Sequence, residues 1–373
     1  DTVNLNAAGG LSLTAALDIT AETIAQTQPI SGIGSVRLTT TTASFDQGNS
    51  YSGGTIVSQG TLQVSNNNAP GTGSVTLGDA DSGSAEIRLI AVHSANDLVI
   101  NEPITVAASG TGTVTIGGEH TGGRAFFDGL VTLNRDVTLR GAGNDRTQFR
   151  GGITGTGNVT IDGGGRVTWS TTTATTEAGD GAAAYDFDGS VTITGNSLLQ
   201  TNSNFTTGSS SLATRDFTVN GGSTFRLAYD TDVTMDELSG SGNVEALAAS
   251  GFPDPSILTV GADNGSSTFN GRLLNSGRVL ALTKTGSGTI TLAGGNGNNT
   301  ATGLTLVEQG VLEVGGGFGG DGAIRGDITV ESGANYRMLQ DNIIINSSLI
   351  TLNGTGTLDR NGFSDVVGAV SYT

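Results

Sequence analysis

Length, composition and charge exclude several protein classes before any motif is considered. The 373 residues include 61 glycines but only 5 prolines, and glycine follows no strict third position, so the chain is not collagen-like. Cysteine is absent, which excludes disulfides and thiolate metal sites, and the net charge of −18 is scattered, which disfavours a nucleic-acid partner.

Short strands with alternating apolar and polar residues are the dominant local pattern along the chain. Glycine or asparagine flanks most of them, as expected for tight turns between strands. No amphipathic helix is predicted, and residues 176–184, which contain Gly179 and Gly181, are predicted to form a loop. The clearest predicted strands are residues 36–38, 61–64, 74–77, 98–100, 113–116, 131–133, 137–139 and 159–161.

Two segments of the chain repeat each other 250 residues apart. Residues 56–64, with the sequence IVSQGTLQV, align with residues 306–314, with the sequence LVEQGVLEV. Upstream, residues 34–38 align with residues 288–292 if the first copy carries a loop insertion. The recurring apolar positions predict inward-facing rows that include Ile56, Leu62, Val64, Ile290, Leu292, Leu306, Leu312 and Val314.

This repetition predicts an all-β solenoid in which coils stack and each strand pairs with the strands above and below it. A coil of roughly 20 to 25 residues is typical of such repeats and gives about 15 to 18 coils. We expect one continuous solenoid over residues 1–373. Residues 1–33 are its least repeat-like part, residues 34–314 hold the recognisable repeats, and residues 315–373 form C-terminal coils that continue or are capped by a partner.

Residues 258–314 resemble the autotransporter-associated β-strand repeat, also called the passenger-associated transport repeat. The resemblance is carried by the sequence LTKTGSGTITL at residues 282–292 and by residues 304–314, and a copy at residues 49–55 keeps the aromatic residue and glycine pair of the family loop. It implies a right-handed parallel β-helix, forming a single elongated rod, in the passenger region of a secreted bacterial surface protein.

Few residues suggest catalysis. The sequence Asp81-Ser82-Gly83 is similar to the nucleophile loop of trypsin-like proteases, but that order requires the histidine base upstream, whereas His93 and His120 follow the serine. A polar turn is therefore the favoured interpretation of this segment. The two histidines, without cysteine or helical spacing, are also a weak metal signal, and turn or surface positions are favoured.

The densest acidic group in the sequence is the second candidate for a metal site. Asp180, Asp186 and Asp188, with Glu177 nearby, have the oxygen-rich composition of a calcium site, although the EF-hand pattern is incomplete. An ordinary solvated loop is the favoured alternative, and no other cofactor is expected.

Function is predicted as a structural or adhesive stalk on the bacterial cell surface, without catalytic activity. The alternatives are a self-assembling filament or sheath subunit, and a polysaccharide-acting enzyme or carbohydrate-binding module, which the aromatic content of 5% and the single tryptophan disfavour. Residues 365–373 are apolar after Asp365, so we expect end-to-end self-association or continuation of the rod, with cell-surface or glycan ligands as other partners. No stretch is long enough to predict membrane insertion of this segment.

Overall fold

The computed structural model describes residues 1–92, 96–119, 122–141, 146–170, 185–202, 212–229, 231–247, 255–294, 299–316 and 323–373. These residues form strands and turns without a helix, and the fold is a parallel β-solenoid of about 14 turns. No helix within these ranges could therefore cross a membrane. The chain divides into two compact units, unit 1 (Asp1–Thr176 with Gly181–Gly189) and unit 2 (Glu177–Asp180 with Ser190–Thr373).

Unit 1 is built from parallel ladders of short strands. Its strands are β1 (Thr2–Leu5), β2 (Leu11–Leu13), β3 (Leu17–Gln26), β4 (Ile30–Gly32), β5 (Val36–Phe45), β6 (Thr55–Val64), β7 (Val75–Leu77), β8 (Ile87–Ala91), β9 (Leu98–Ile100), β10 (Ile104–Val106), β11 (Val114–Gly118), β12 (Ala125–Phe127), β13 (Val131–Leu133), β14 (Val137–Arg140), β15 (Arg146–Phe149), β16 (Ile153–Gly155), β17 (Val159–Asp162), β18 (Arg166–Trp169) and β19 (Tyr185–Phe187).

The long strands β3, β5 and β6 each contribute to two ladders of unit 1. Their first halves stack with β7, β10, β13, β16 and β19. Their second halves stack with β1, β8, β11, β14 and β17. A third ladder runs through β9, β12, β15 and β18, and β2 pairs with β4.

Unit 2 repeats this construction. Its strands are β20 (Val191–Ile193), β21 (Leu198–Thr201), β22 (Phe217–Val219), β23 (Thr224–Ala228), β24 (Val233–Met235), β25 (Leu238–Gly240), β26 (Asn243–Leu247), β27 (Ser256–Val260), β28 (Ser267–Phe269), β29 (Arg272–Ser276), β30 (Leu280–Lys284), β31 (Thr289–Leu292), β32 (Thr305–Val307), β33 (Val311–Val314), β34 (Ile328–Val330), β35 (Asn335–Met338), β36 (Leu349–Leu352), β37 (Thr357–Asp359) and β38 (Ala369–Tyr372).

Three parallel ladders organise the strands of unit 2. The first runs through β20, β22, β25, β28, β31, β33, β35 and β37. The second joins β21, β23, β26 and β29, and the third joins β24, β27, β30, β32, β34, β36 and β38.

The predicted fold class is confirmed, but the coils are fewer and less even in length than expected. Register partners one coil apart are separated by 19 residues between Val36 and Thr55, and by 32 between Ile153 and Tyr185. Several coils are longer than 20 to 25 residues, so the solenoid has about 14 turns and not the 15 to 18 that were expected.

Two of the predicted inward positions are wrong. Leu62, Val64, Ile290, Leu292, Leu312 and Val314 are buried as expected, whereas Ile56 and Leu306 lie on the outer face and their neighbours Val57 and Val307 are fully buried. If every second residue before Leu62 faced inward, Ile56 would be buried. Ser58, however, is an extra residue in the ladder between Val57 and Gln59, and it reverses which side chains face inward.

The proposed alignment of the upstream strands is also wrong. Residues 36–38 pair with the first half of β6, and the strand that pairs with the equivalent β32 is β30, not β31. Lys284 of β30 therefore occupies the position of Leu38, because each lies directly beneath the buried valine of the next coil. The extra residues then lie in the second copy and not in the first, because 19 residues separate Leu38 from Val57 and 23 separate Lys284 from Val307.

Glycine has the same role at the turn inside both copies. Gly60 and Gly310 have φ angles of 85° and 67°, in the left-handed region. A Cβ atom on Gly60 would lie 1.7 Å from the Thr40 carbonyl oxygen, and one on Gly310 would lie 2.4 Å from that of Gly288. The turn can thus pass against the preceding coil only without a side chain.

Aromatic side chains fill the interior of unit 1. The rings of Phe127 and Phe149 stack with centroids 4.9 Å apart, and those of Trp169 and Tyr185 stack at 5.1 Å. Trp169 is fully buried, so the only tryptophan of the chain contributes to the core and is not an exposed platform for a sugar ring.

Candidate functional site

The calcium candidates that the structure describes lie on the outer face of unit 1. Asp186 and Asp188 are both exposed, and Asp186 is aligned with Thr154 of the preceding coil. The Thr154 hydroxyl donates a hydrogen bond to the Asp186 carbonyl at 3.0 Å, and the Asp188 amide donates to the Gly155 carbonyl at 2.7 Å. The other candidate, Asp180, lies outside the described residues, as do Glu177, His93 and His120.

The protease-like sequence at Asp81-Ser82-Gly83 forms a hydrogen-bonded turn. The Ser82 hydroxyl accepts a hydrogen bond from the Asp79 amide at 2.8 Å and donates to the Asp79 carboxylate at 3.3 Å. Arg37 binds the carboxylates of Asp79 and Asp81 at 2.7 and 2.8 Å. Ser82 is nearly fully buried, so its hydroxyl holds a corner together and does not face a substrate.

The environment of Asp79 favours the ionised form of its carboxyl. Burial tends to raise the pKa of its carboxyl, but hydrogen bonds from Arg37 and Ser58 prevail, and the pKa lies below its usual value. The same contacts raise the pKa of the Arg37 guanidinium. Ion pairs therefore join Arg37 of β5 to the turn that follows β7.

A cluster of carboxylates that the sequence did not reveal lies in unit 2. One oxygen each from Asp216, Asp236 and Glu237 lies within 4.8 Å of the others. Asp216 directly precedes β22 and Glu237 directly precedes β25, and these strands are in register, so residues about twenty positions apart become neighbours. The only available signal was the recurrence of an acidic residue just before equivalent strands.

Hydrogen bonds from the backbone hold the members of this acidic cluster. The amides of Asp263 and Gly265 donate to one oxygen of Asp236 at 2.8 and 3.0 Å, and the Ser266 amide donates to Glu237 at 3.1 Å. Three carboxylates form the kind of donor set that hard divalent cations prefer. In the described structure, however, these backbone amides already occupy part of that set.

Burial and mutual repulsion both disfavour ionisation in the cluster. Burial raises the pKa of Asp216, and the neighbouring charge of Asp236 raises it further. Burial likewise raises the pKa of Glu237, with the charges of Asp216 and Asp236 adding to the effect. Repulsion between the carboxylates of the cluster therefore opposes the folding of this part of unit 2 at neutral pH.

Lys284 lies at a corner of the same unit and is fully buried. Its ammonium donates hydrogen bonds to the carbonyls of Thr285 and, at 2.8 Å, Gly286, and to that of Gln309 in the next coil at 3.2 Å. Burial lowers the pKa of this ammonium to about 8, and the negative charge of Asp236 opposes part of that shift. The lysine thus ties two consecutive coils together through their turn carbonyls.

These features define a class of protein, a parallel β-solenoid whose coils are joined by buried and charge-assisted corner contacts. Residues 32–64 and 282–314 match the family model described as passenger-associated-transport-repeat. The chain therefore carries two passenger-associated transport repeats, and these repeats and the fold support a passenger-like β-helical domain. No curated protein and no solved structure shows a significant match to the chain.

Proposed function

We propose that the chain is the stalk of a bacterial extracellular surface protein, with a structural or adhesive role and no catalytic activity. The observation that carries this proposal is that both passenger-associated transport repeats fold as coils of a parallel ladder. Repeats of this family occur in passenger regions of secreted bacterial proteins, and a stacked solenoid can extend by adding coils.

Surface exposure can be tested with antibodies raised against the purified chain. Intact source cells should be labelled as strongly as permeabilised cells, because a passenger-like stalk lies outside the outermost membrane. A cytoplasmic marker protein, labelled only after permeabilisation, is the control. Labelling of the chain only after permeabilisation would overturn the proposal.

The absence of catalysis is supported by how the candidate groups are used. Ser82 is buried in a turn, and the exposed Asp186 and Asp188 project from the outer face of one strand, β19, and from its end. Casein and a panel of neutral and acidic polysaccharides should show no turnover above buffer. Cleavage that is lost in Asp186→Asn or Asp188→Asn would show that the chain is a hydrolase.

A self-assembling filament is the second candidate, because two interior rows continue into β38 as exposed side chains. Val370 is in register with the fully buried Ile350, and Tyr372 with Leu352, yet their exposures are 41% and 77%. A further coil, from the same polypeptide or from a second copy of the chain, would cover both side chains and pair with β38. Electron microscopy across a concentration series should then show end-joined particles, which Val370→Lys and Tyr372→Lys together should disperse. A chain that stays monomeric throughout would exclude this candidate.

A further inference from the structure

An open polar groove runs across the outer face of unit 1, along β8, β11, β14 and β17. Register places Arg88, Thr115, Thr138 and Thr160 in one outward row, one residue from each coil. Among the described residues, the hydroxyls of these three threonines have no hydrogen-bond partner. Thr138 and Thr160 therefore present unengaged hydroxyls in successive coils, about 4.8 Å apart, whereas Thr115 in the same row is buried.

One wall of the groove is a network of charged side chains. A single oxygen of Glu119 lies 2.5 Å from Arg88 and 3.2 Å from Arg140, so one carboxylate joins two guanidinium groups. The Arg140 side chain packs between Gly117 and Gly163. A Cβ on Gly117 would lie 2.8 Å from the Arg140 Cβ, and one on Gly163 would lie 2.8 Å from its Cγ, so neither position has room for a larger residue. This part of the groove has a volume of about 450 Å³.

The groove continues past Thr113 and Thr138 toward a corner of the same coils, where its volume is about 490 Å³. Arg135 lines this end. Its Nε donates to the Ala107 carbonyl at 3.0 Å and one terminal nitrogen donates to the Gly112 carbonyl, which holds the turn beside the groove in place. The groove therefore has walls fixed by ion pairs and backbone contacts, so it is formed before any ligand arrives.

The chemistry of the lining selects one class of ligand. Three guanidinium groups, of Arg88, Arg135 and Arg140, are set against four carboxylates, so neither a polyanion nor a polycation is favoured. The described lining contains no aromatic residue, which disfavours flat apolar molecules and means that a sugar would be held by hydrogen bonds and not by stacking on a ring. What remains is a ligand that both donates and accepts many hydrogen bonds without net charge. The carboxylates are Glu86, Glu119, Asp136 and Asp162.

We propose that this groove binds a neutral oligosaccharide or a segment of a neutral polysaccharide, with the threonine hydroxyls as its floor and the Arg88–Glu119–Arg140 network as its wall. This inference rests on the proposed role as a surface stalk, for which it names the ligand class. A failure to bind sugar would leave the cell-labelling result unchanged, so the two claims fail separately.

The test is calorimetric titration of the purified chain with cellohexaose, maltohexaose and xylohexaose, and with hexagalacturonate as the acidic comparison. At least one neutral hexasaccharide should bind, and Thr138→Val should weaken that binding about fivefold through loss of one hydrogen bond. Thr105→Val, an outward threonine of the neighbouring ladder outside the groove, is the matched control and should bind as the wild type does.

Three results would overturn the proposal. They are no binding by any of the neutral sugars, equal binding by wild type and Thr138→Val, and stronger binding of hexagalacturonate than of every neutral sugar. Melting temperatures of both variants close to the wild-type value would show that the comparison reports on the groove and not on folding.

Discussion

A single residue distinguishes the corner of the second repeat from that of the first. Leu38 and Lys284 occupy equivalent ladder positions and both are fully buried, but the leucine fills the interior while the lysine binds three turn carbonyls. Burying a charge is costly unless hydrogen bonds compensate it, and here two consecutive coils supply the acceptors. The lysine of the sequence LTKTGSG is thus a structural group of the corner.

Because of Lys284, the stability of unit 2 should change with pH in the alkaline range. Its folded pKa of about 8 lies below the ordinary value of 10.5, so between these values the unfolded chain binds a proton that the folded chain does not. Stability must therefore rise with pH across this window. Relative to Lys284→Met, the wild-type free energy of unfolding should increase by roughly 1 to 3 kcal/mol between pH 7 and pH 10. Urea denaturation of both proteins at each pH measures this, and a constant or falling difference would show that the lysine is not buried as a charge.

The acidic cluster of unit 2 makes the opposite kind of contribution. The pKa values of Asp216 and Glu237 are raised in the folded state, so the stability they contribute is greatest at low pH and is lost as pH rises through those values. Glu237→Gln keeps an acceptor for the Ser266 amide but removes one charge. We expect it to stabilise unit 2 at pH 7 by under about 1 kcal/mol, because partly exposed charges are screened.

The control for this prediction is Glu308→Gln, which removes an exposed acidic charge from the same unit outside the cluster. Thermal melts at pH 4 and pH 7 should show that Glu237→Gln gains stability at the higher pH only. An equal gain from Glu308→Gln would mean that the effect comes from the net charge of −18 and not from the cluster.

Among the structural elements, the positions of the short strands were predictable, but which of their residues face inward could not be carried from one strand to the next. Alternation located residues 98–100 and 131–133 as strands with the bounds that the structure shows. It missed that β3 and β5 run for ten residues each, because the threonine-rich middle of β5 has no apolar side chain to mark it. The prediction also continued the same alternation across Ser58. That residue is an extra position in the ladder, which is visible only once the pairing between coils is known.

The acidic cluster was missed for a related physical reason. Sequence inspection groups residues that are close along the chain, such as Asp186 and Asp188. Stacking instead brings together Asp216 and Glu237, which belong to different coils and meet only once the register of β22 and β25 is known. Predicting such sites requires the length of every coil, and these lengths vary along the chain.

The outward position of Leu306 provides a matched control for the core. Leu312→Asp would bury an unpaired carboxylate in a row that includes Ile290 and Tyr336, and it should cost several kcal/mol or prevent folding of unit 2. Leu306→Asp, in the preceding strand of the same repeat, points outward and should cost under about 1 kcal/mol. Chemical denaturation separates the two, and similar losses would mean that the assigned faces are wrong.

At the scale of the whole molecule, the two passenger-associated transport repeats lie one in each unit, and both use the same turn glycine and the same buried valine. Residues 32–64 lie in unit 1 and residues 282–314 in unit 2. Each unit also contains coils outside these repeats that follow the same parallel ladders. One register rule, a parallel step per coil, therefore organises both units.

Disulfide trapping tests this register in both units, because the chain has no cysteine to compete. Thr138→Cys with Thr160→Cys in unit 1, and Thr291→Cys with Glu313→Cys in unit 2, place thiols on register partners about 4.8 Å apart. Thr291→Cys with Arg337→Cys places them two ladder steps apart, at about 10 Å, beyond the reach of a disulfide. Under mild oxidation of the folded protein, both adjacent pairs should crosslink within one chain and the two-step pair should not. Equal crosslinking of the two-step pair, or none in the adjacent pairs, would contradict the parallel solenoid in this register.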